Sequence, residues 1–294
     1  MAHPIDMTRT ASQRTIARKS RTPHAVPAFA GPGHTAVEVL AGEPERTDPF
    51  VLLMDDRLDF QPGQVAGGEH PHAGLETVTL MLEGGLDGEA EGLLQAGDLE
   101  WMTAGKGIIH GENVRATGRT RVLQLWIALP RALRHIAPQV TLVPLSSVPV
   151  RREPGVEVRL YSGRSGDVVS PTENRVAATI ADARLAPHAS VTQMLPADYR
   201  GLLYVISGAL VAGGMHLREG EVGWIDADDA GETALALEAG PDGGRAILYA
   251  GRPLGEPIVQ HGPFVAGSAD EIAALYRAYR QGGFVRLTDV AASP

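Results

Sequence analysis

Cysteine is absent from all 294 residues. Neither a disulfide framework nor a thiolate metal site can form, so any metal must be held by imidazole nitrogen or carboxylate oxygen. Long hydrophobic runs are missing too. The apolar stretches fall far short of the roughly 18 to 20 residues a membrane span requires, and nothing near the start reads as a secretory apolar core. No membrane partner is expected, and the cytoplasm is the expected location. Positive charge is scarce, with 26 Lys and Arg against 35 Asp and Glu, for a net charge of −9. Part of that small supply sits at the start: residues 1–22 hold Arg9, Arg14, Arg18, Lys19 and Arg21 against Asp6, a net +4 that leaves −13 on the remainder. An acidic body lacks the basic face that phosphate-backbone binding needs, so nucleic acid is not an expected partner, and residues 1–24 read as a flexible basic tail.

Aromatics are few (5%), while glycine (35) and proline (21) are plentiful and 44% of the residues are hydrophobic. Short apolar segments separated by Gly, Asp and Pro clusters are the pattern of many short strands, which predicts an all-β sandwich or barrel. The stretch 76–82 (ETVTLML) alternates, and 97–105 (GDLEWMTAG) follows a turn. The stretch 121–129 (RVLQLWIAL) reads as a strand buried on both faces. The segments 156–163, 175–185, 201–211 and 245–251 repeat the idea, and SSVPVRREPG (146–155) reads as a linker between two halves.

The halves share a fingerprint. LMLEGGL…AGDLEW around Gly84, Gly97 and Trp101 matches YVISGAL…EGEVGW around Gly208, Gly220 and Trp224, at offsets of 124, 123 and 123 residues. A repeat of this length predicts two copies of one β domain. One helix is expected near the end, where Ser268 and Glu271 form an S-x-x-E capping box ahead of Ile272, Leu275, Tyr276 and Tyr279, and Gly282 and Gly283 stop it.

Ten histidines are present, and three of them make a constellation. In His70-Pro71-His72 the two imidazoles lie at i and i+2, which on a strand face the same side. About forty residues later, after a glycine-rich turn, His110 and Glu112 repeat the spacing. If the two strands lie side by side, three imidazoles and one carboxylate can hold one ion and leave positions open for water or substrate. Glu76, four residues after His72, shares that face by strand parity and is expected to orient an imidazole rather than to bind the ion. His3, His24, His34, His135, His188, His216 and His261 have no partner at this spacing and read as surface or structural residues. Shifted by the repeat offsets, the four candidate ligands fall on Met194, Pro196, Thr233 and Leu235, which predicts a second domain without metal ligands.

The stretches HPHAGLETVTLMLEGG (70–85), AGDLEWMTAGKGIIHGE (96–112), LQLWIALP (123–130) and PIVQHGPFV (257–265) resemble those of the pirin family of the cupin superfamily, in family order. The resemblance implies two jelly-roll β-barrels in tandem with a C-terminal helix. The plan it predicts is a tail over 1–24, a metal-binding cupin domain over 25–145, a linker over 146–155, a second cupin domain over 156–262, and a final segment 263–294 with a helix at about 269–281. It also implies that His70, His72, His110 and Glu112 are metal ligands. The chain departs from the family pattern at Ala73-Gly74-Leu75, where Arg-Gly-Phe is usual, at Gly111, where Ser is usual, and in the shortened segment 86–94. Those departures bear on pocket shape rather than on the ligands.

Pirins and related cupins are associated with flavonol (quercetin-type) dioxygenase activity. The resemblance therefore implies a flavonol-type aromatic substrate together with O2, a divalent ion expected to be Fe(II), and Glu112 as the base that takes the substrate's hydroxyl proton. The same donor set also accepts Mn, Co, Ni or Zn. Two further readings stay open. One is a metal-containing, redox-sensitive regulator that acts on a protein partner. The other is a zinc-type cupin isomerase or hydrolase.

Overall fold

The structure, a computed structural model, describes residues 12–60, 64, 68–88, 92–111, 115–116, 118–228 and 231–290. It divides into two compact units. The first barrel comprises Thr22–Pro149, Ser170–Ala178 and Gly251–Pro294, and the second comprises Met1–Arg21, Val150–Val169 and Thr179–Ala250.

The strands of the first barrel are β1 (His34–Ala41), β2 (Phe50–Asp59), β3 (Glu69–His72), β4 (Leu75–Glu83), β5 (Leu99–Thr103), β6 (Ile108–Gly111), β7 (Arg119–Ala128) and β8 (Gln139–Val143). Those of the second are β9 (Val150–Glu153), β10 (Val156–Ser162), β11 (Ala178–Leu185), β12 (Ser190–Pro196), β13 (Arg200–Ala212), β14 (Glu221–Ile225) and β15 (Glu232–Gly251). Each unit is a jelly-roll barrel of cupin type. The main sheet of the first runs β8-β5-β4-β7-β2-β1 and ends on Val26–Pro27. The main sheet of the second runs from Arg18–Arg21 through β14-β13-β15-β11-β10 to β9. Position by position the two orders are the same.

The repeat read from the sequence is a repeat of register. Trp101 of β5 faces Val78 of β4, and Trp224 of β14 faces Leu202 of β13. Gly84 follows the end of β4 and Gly208 lies within β13, both left-handed at φ +69° and +71°, where a Cβ would lie 2.4 Å from the Arg119 carbonyl oxygen and 2.3 Å from that of Gly243. Only glycine fits a left-handed turn packed that closely.

Several segments differ from the expected plan, and Ser170–Ala178 and residues 251–262, expected in the second domain, belong to the first unit. Within the tail predicted over 1–24, Arg18–Arg21 is the edge strand of the second barrel and holds the place that β8 holds in the first. The cause is a set of anchors that composition does not reveal. The Arg14 guanidinium is 3% exposed and donates to Thr233 Oγ1 and to the carbonyls of Pro196, Ala197, Tyr199 and Asp226 at 2.6–3.0 Å. Arg18 also stacks 4.2 Å over the Trp224 ring. Within the predicted linker, Val150–Glu153 pairs with β10 as strand β9.

The C-terminal helix spans Ala269–Arg280, with Ser268 Oγ accepting from the Glu271 N–H at 3.2 Å. The Glu271 carboxylate reaches back to the Gly267 N–H at 2.8 Å, one residue earlier than a reciprocal capping box requires. Ile272 packs into a core with Phe264, Phe284, Tyr276 and Tyr279, so the tyrosines are packing residues. No described helix is long and apolar enough to cross a membrane.

Candidate metal centre

Strands β3 and β6 pair antiparallel with His110 opposite His70 and Ile108 opposite His72. Pleating sends His70 and His72 to one side, and the register brings His110 across to meet them. One nitrogen of each ring lies within 4.8 Å of the others. The ring centroids are 4.3 Å apart for His70 and His110, 4.9 Å for His70 and His72, and 5.1 Å for His72 and His110. His72 and His110 are buried, while His70 is partly open and places Nδ1 2.9 Å from the Gly68 carbonyl oxygen.

The hairpin that delivers these rings needs a glycine. Gly74 turns the chain between β3 and β4 at φ +75°, and a Cβ there would sit 1.8 Å from the Val265 carbonyl oxygen. Burial pushes the His72 imidazole well below its usual range. The like-charged forms of His110 and His70 push it further the same way, and a hydrogen bond with the Pro263 backbone opposes them. A neutral ring keeps the lone pair that a metal requires. Three convergent imidazoles, His72 held neutral among them, therefore fit a divalent first-row ion. Glu112, the fourth predicted ligand, lies outside the described residues.

Glu76 is not brought to the cluster. The turn at Gly74 resets strand parity, so counting from His72 along one strand does not apply. On β4, Thr77 pairs with Trp126, whose ring meets His72 edge-on at 5.0 Å, and Glu76 is the next residue on the opposite face. There it is fully buried and accepts from Thr103 Oγ1 at 2.7 Å. Burial pushes its carboxyl above the usual range, against the opposing influences of Thr103, Trp101 and Arg175.

The cluster opens into a cavity of about 730 Å³ walled by Phe29, Leu52, Met54 and Trp126, with the carboxylates of Glu38 and Asp56 also lining it. That size and mixed lining suit a planar aromatic ligand with a few polar groups. Phe29 meets His70 edge-on at 5.9 Å and His34 at 5.4 Å. The Ala30 N–H donates to His34 Nδ1 at 3.2 Å, so Nε2 carries the proton and donates to Asp56 Oδ1 at 2.7 Å. His34 thereby ties the loop carrying Phe29 to the cavity wall. Sequence reasoning missed these wall residues. The one available signal was Gln124, a polar residue two before Trp126 in a strand otherwise read as buried on both faces, and it lines the cavity beside Trp126.

Comparison with known proteins agrees with this architecture. The pirin family pattern matches residues 34–127, and that of the pirin C-terminal cupin domain matches residues 180–285. A Pseudomonas aeruginosa protein named "Putative quercetin 2,3-dioxygenase" is 37% identical over 273 residues, covering 87% of this chain and 94% of the relative. Pirin from Homo sapiens is 32% identical over 255 residues, covering 83% and 87% respectively. In fold, the chain is similar to the crystal structure of quercetin 2,3-dioxygenase from Acinetobacter baumannii. That comparison has a TM-score of 0.82 at 24% identity and covers 93% of this chain and 99% of the other.

Proposed function

The chain belongs to the pirin family, and from that premise we propose that it is a metal-dependent dioxygenase of flavonol-type substrates. The observation that carries the proposal is the convergence of three imidazoles, donor atoms within 4.8 Å of one another, on the wall of an aromatic-lined cavity. His70, His72 and His110 would hold the ion, with Fe(II) the expected species, and Glu112 would complete the set from two residues beyond His110. Such an ion supplies Lewis acidity toward adjacent hydroxyl and carbonyl oxygens and a route for electrons to O2.

The chain's own residues supply the rest. Trp126 and Phe29 provide apolar surfaces against which a flavonol can be oriented, and Leu52 and Met54 exclude water from the inner wall. Glu112 would accept the proton of the substrate hydroxyl as a general base.

Oxygen uptake by the Fe(II)-loaded protein with quercetin tests the reading. Uptake that depends on the flavonol and vanishes in His110→Ala is the expected result. In Glu112→Gln, bound metal should largely persist while turnover falls by about 100-fold or more. Equal loss of metal and turnover in that variant would remove the base role. Stable iron with no uptake would defeat the dioxygenase reading and leave a regulator acting through a protein partner.

A further inference from the structure

The second barrel carries a charge arrangement that the first lacks, built on a feature the two share. In the first barrel the Arg121 guanidinium donates Nε and Nη2 to the two oxygens of buried Asp55, at 2.9 and 2.7 Å. In the second, 124 residues on, Arg245 makes the same fork to buried Asp182, at 2.9 and 2.9 Å. The surroundings of the two forks differ. In the first barrel Arg121 is opposite Glu83, and Thr35 is opposite Arg57 and Pro27. In the second, Ser207 stands at the Glu83 position in the repeat, and Glu157 pairs with both Arg184 and Arg152. Arg159, opposite Asp182, takes the place of Val37, which is opposite Asp55.

One face of the second sheet therefore carries Arg152, Arg159, Arg184 and Arg245 against Glu157 and Asp182, an excess of two positive charges on a chain of net charge −9. Alternation fixes which face this is, because Ala181 and Ala183 point into the barrel core. Arg184 also donates Nε and Nη2 to Asp182 Oδ2, at 3.2 and 2.9 Å, so this oxygen serves two guanidiniums while Oδ1 serves Arg245. Neither Arg184 Nη1 nor Arg245 Nη1 has an acceptor among the described residues. Arg152 donates to Glu157 through Nη1 alone. These three arginines and Ser207 line a groove of about 540 Å³, together with Glu157, which pairs with Arg152 and Arg159, and Glu153, which pairs with Arg151.

We propose that this groove binds a small organic dianion through a phosphate or dicarboxylate group. Fixed guanidiniums with unused N–H donors match planar oxyanions, and Asp182 holds two of them in place before any ligand arrives. The Glu83 to Ser207 difference removes one carboxylate and supplies a hydroxyl donor, and the two carboxylates that remain in the groove, Glu153 and Glu157, are already paired with arginines. The groove is larger than an inorganic ion, leaving room for the organic remainder of the ligand.

Calorimetric titration of the metal-loaded protein with inorganic phosphate and, separately, with succinate, at constant ionic strength, tests the proposal. Saturable binding of one of these at a single site is expected, weakened at least tenfold in both Arg184→Gln and Arg152→Gln with the metal content unchanged. The stronger ligand of the two tells phosphate from dicarboxylate. Arg152→Gln leaves the Asp182 network intact, so its loss of binding cannot be put down to misfolding. Binding unchanged in both variants would locate the anion elsewhere and overturn the proposal, as would the absence of saturable binding to either probe. Hexaglutamate binding that depends on these arginines, with no binding of phosphate or succinate, would overturn the small-ligand assignment in favour of an acidic peptide.

Discussion

The two barrels have one frame and opposite specialisations. Strand order, the glycine turns at Gly84 and Gly208, the tryptophans on β5 and β14, and the buried Arg–Asp forks recur in both. What changes is the side chains hung on that frame. Where His70 faces His110 across β3 and β6, Met194, which holds the place of His70 in the repeat, faces Ala234 across β12 and β15. Next to them, Leu195 faces Thr233, whose hydroxyl accepts from Arg14 Nε. The first barrel gathers three imidazoles on the wall of a cavity. The second fills its inside with leucine, valine and alanine and concentrates charge on an outer face. Side chains have diverged while the residues that set register have stayed, which is how one fold can carry unrelated sites.

The sharpest way to break this comparison is to remove a ring from one barrel and its counterpart from the other. His72→Ala should lower metal affinity by at least about 100-fold, since loss of residues that merely support a ligand already costs 10 to 100-fold. Met194→Ala should leave metal content unchanged. Metal analysis after dialysis reads both. If Met194→Ala lost metal as His72→Ala does, the assignment of chemistry to the first barrel would fail.

Much of this division was legible in the sequence, and what was missed has identifiable causes. His70, His72 and His110 could be read because strand pleating turns an i, i+2 spacing into a shared face, a local rule. The repeat could be read because a left-handed turn admits few residues and so leaves Gly84 and Gly208 as markers. Glu76 was misplaced because parity was counted through Gly74, a turn that the sequence marks only by the glycine. The strand at Arg18–Arg21 was hidden because its anchors, Trp224 and the carbonyls that receive Arg14, lie about 180 to 210 residues away. The duplicated fork was visible only as DDR at 55–57 and DAR at 182–184, whose partner arginines Arg121 and Arg245 lie 66 and 63 residues further on. Composition-level reasoning about charge passes over so short a match.

The forks give the next largest effect and test whether the shared frame is energetic as well as geometric. Removing a buried carboxylate leaves its guanidinium partners desolvated and unpaired, which costs about 3 to 5 kcal/mol. Asp55→Ala and Asp182→Ala should both destabilise the protein in urea unfolding, and Asp182→Ala should do so more, because two arginines lose their acceptor. Neither should change metal content. A neutral effect of both would mean that the forks are not part of what holds the barrels.

The smallest expected effect concerns a position where the barrels differ in sign. Glu76 is the second residue of β4, and 124 residues on Arg200 begins β13. Burial raises the Glu76 carboxyl above its ordinary value of 4.5. The folded protein therefore holds this proton more tightly than the unfolded chain does. As pH rises through 4.5 the unfolded chain releases its proton first, so the Glu76 contribution to stability falls until the folded carboxyl has also ionised, and it stays low above that. Glu76→Gln keeps an oxygen that can accept from Thr103 and does not titrate. The variant should match the wild type near pH 4 and exceed it at pH 8. Unfolding free energies measured across that range decide the matter. A difference between the two proteins that does not change with pH would mean that the Glu76 carboxyl is no harder to ionise in the fold than out of it, and that the first barrel tolerates a buried charge there as readily as the second accommodates Arg200.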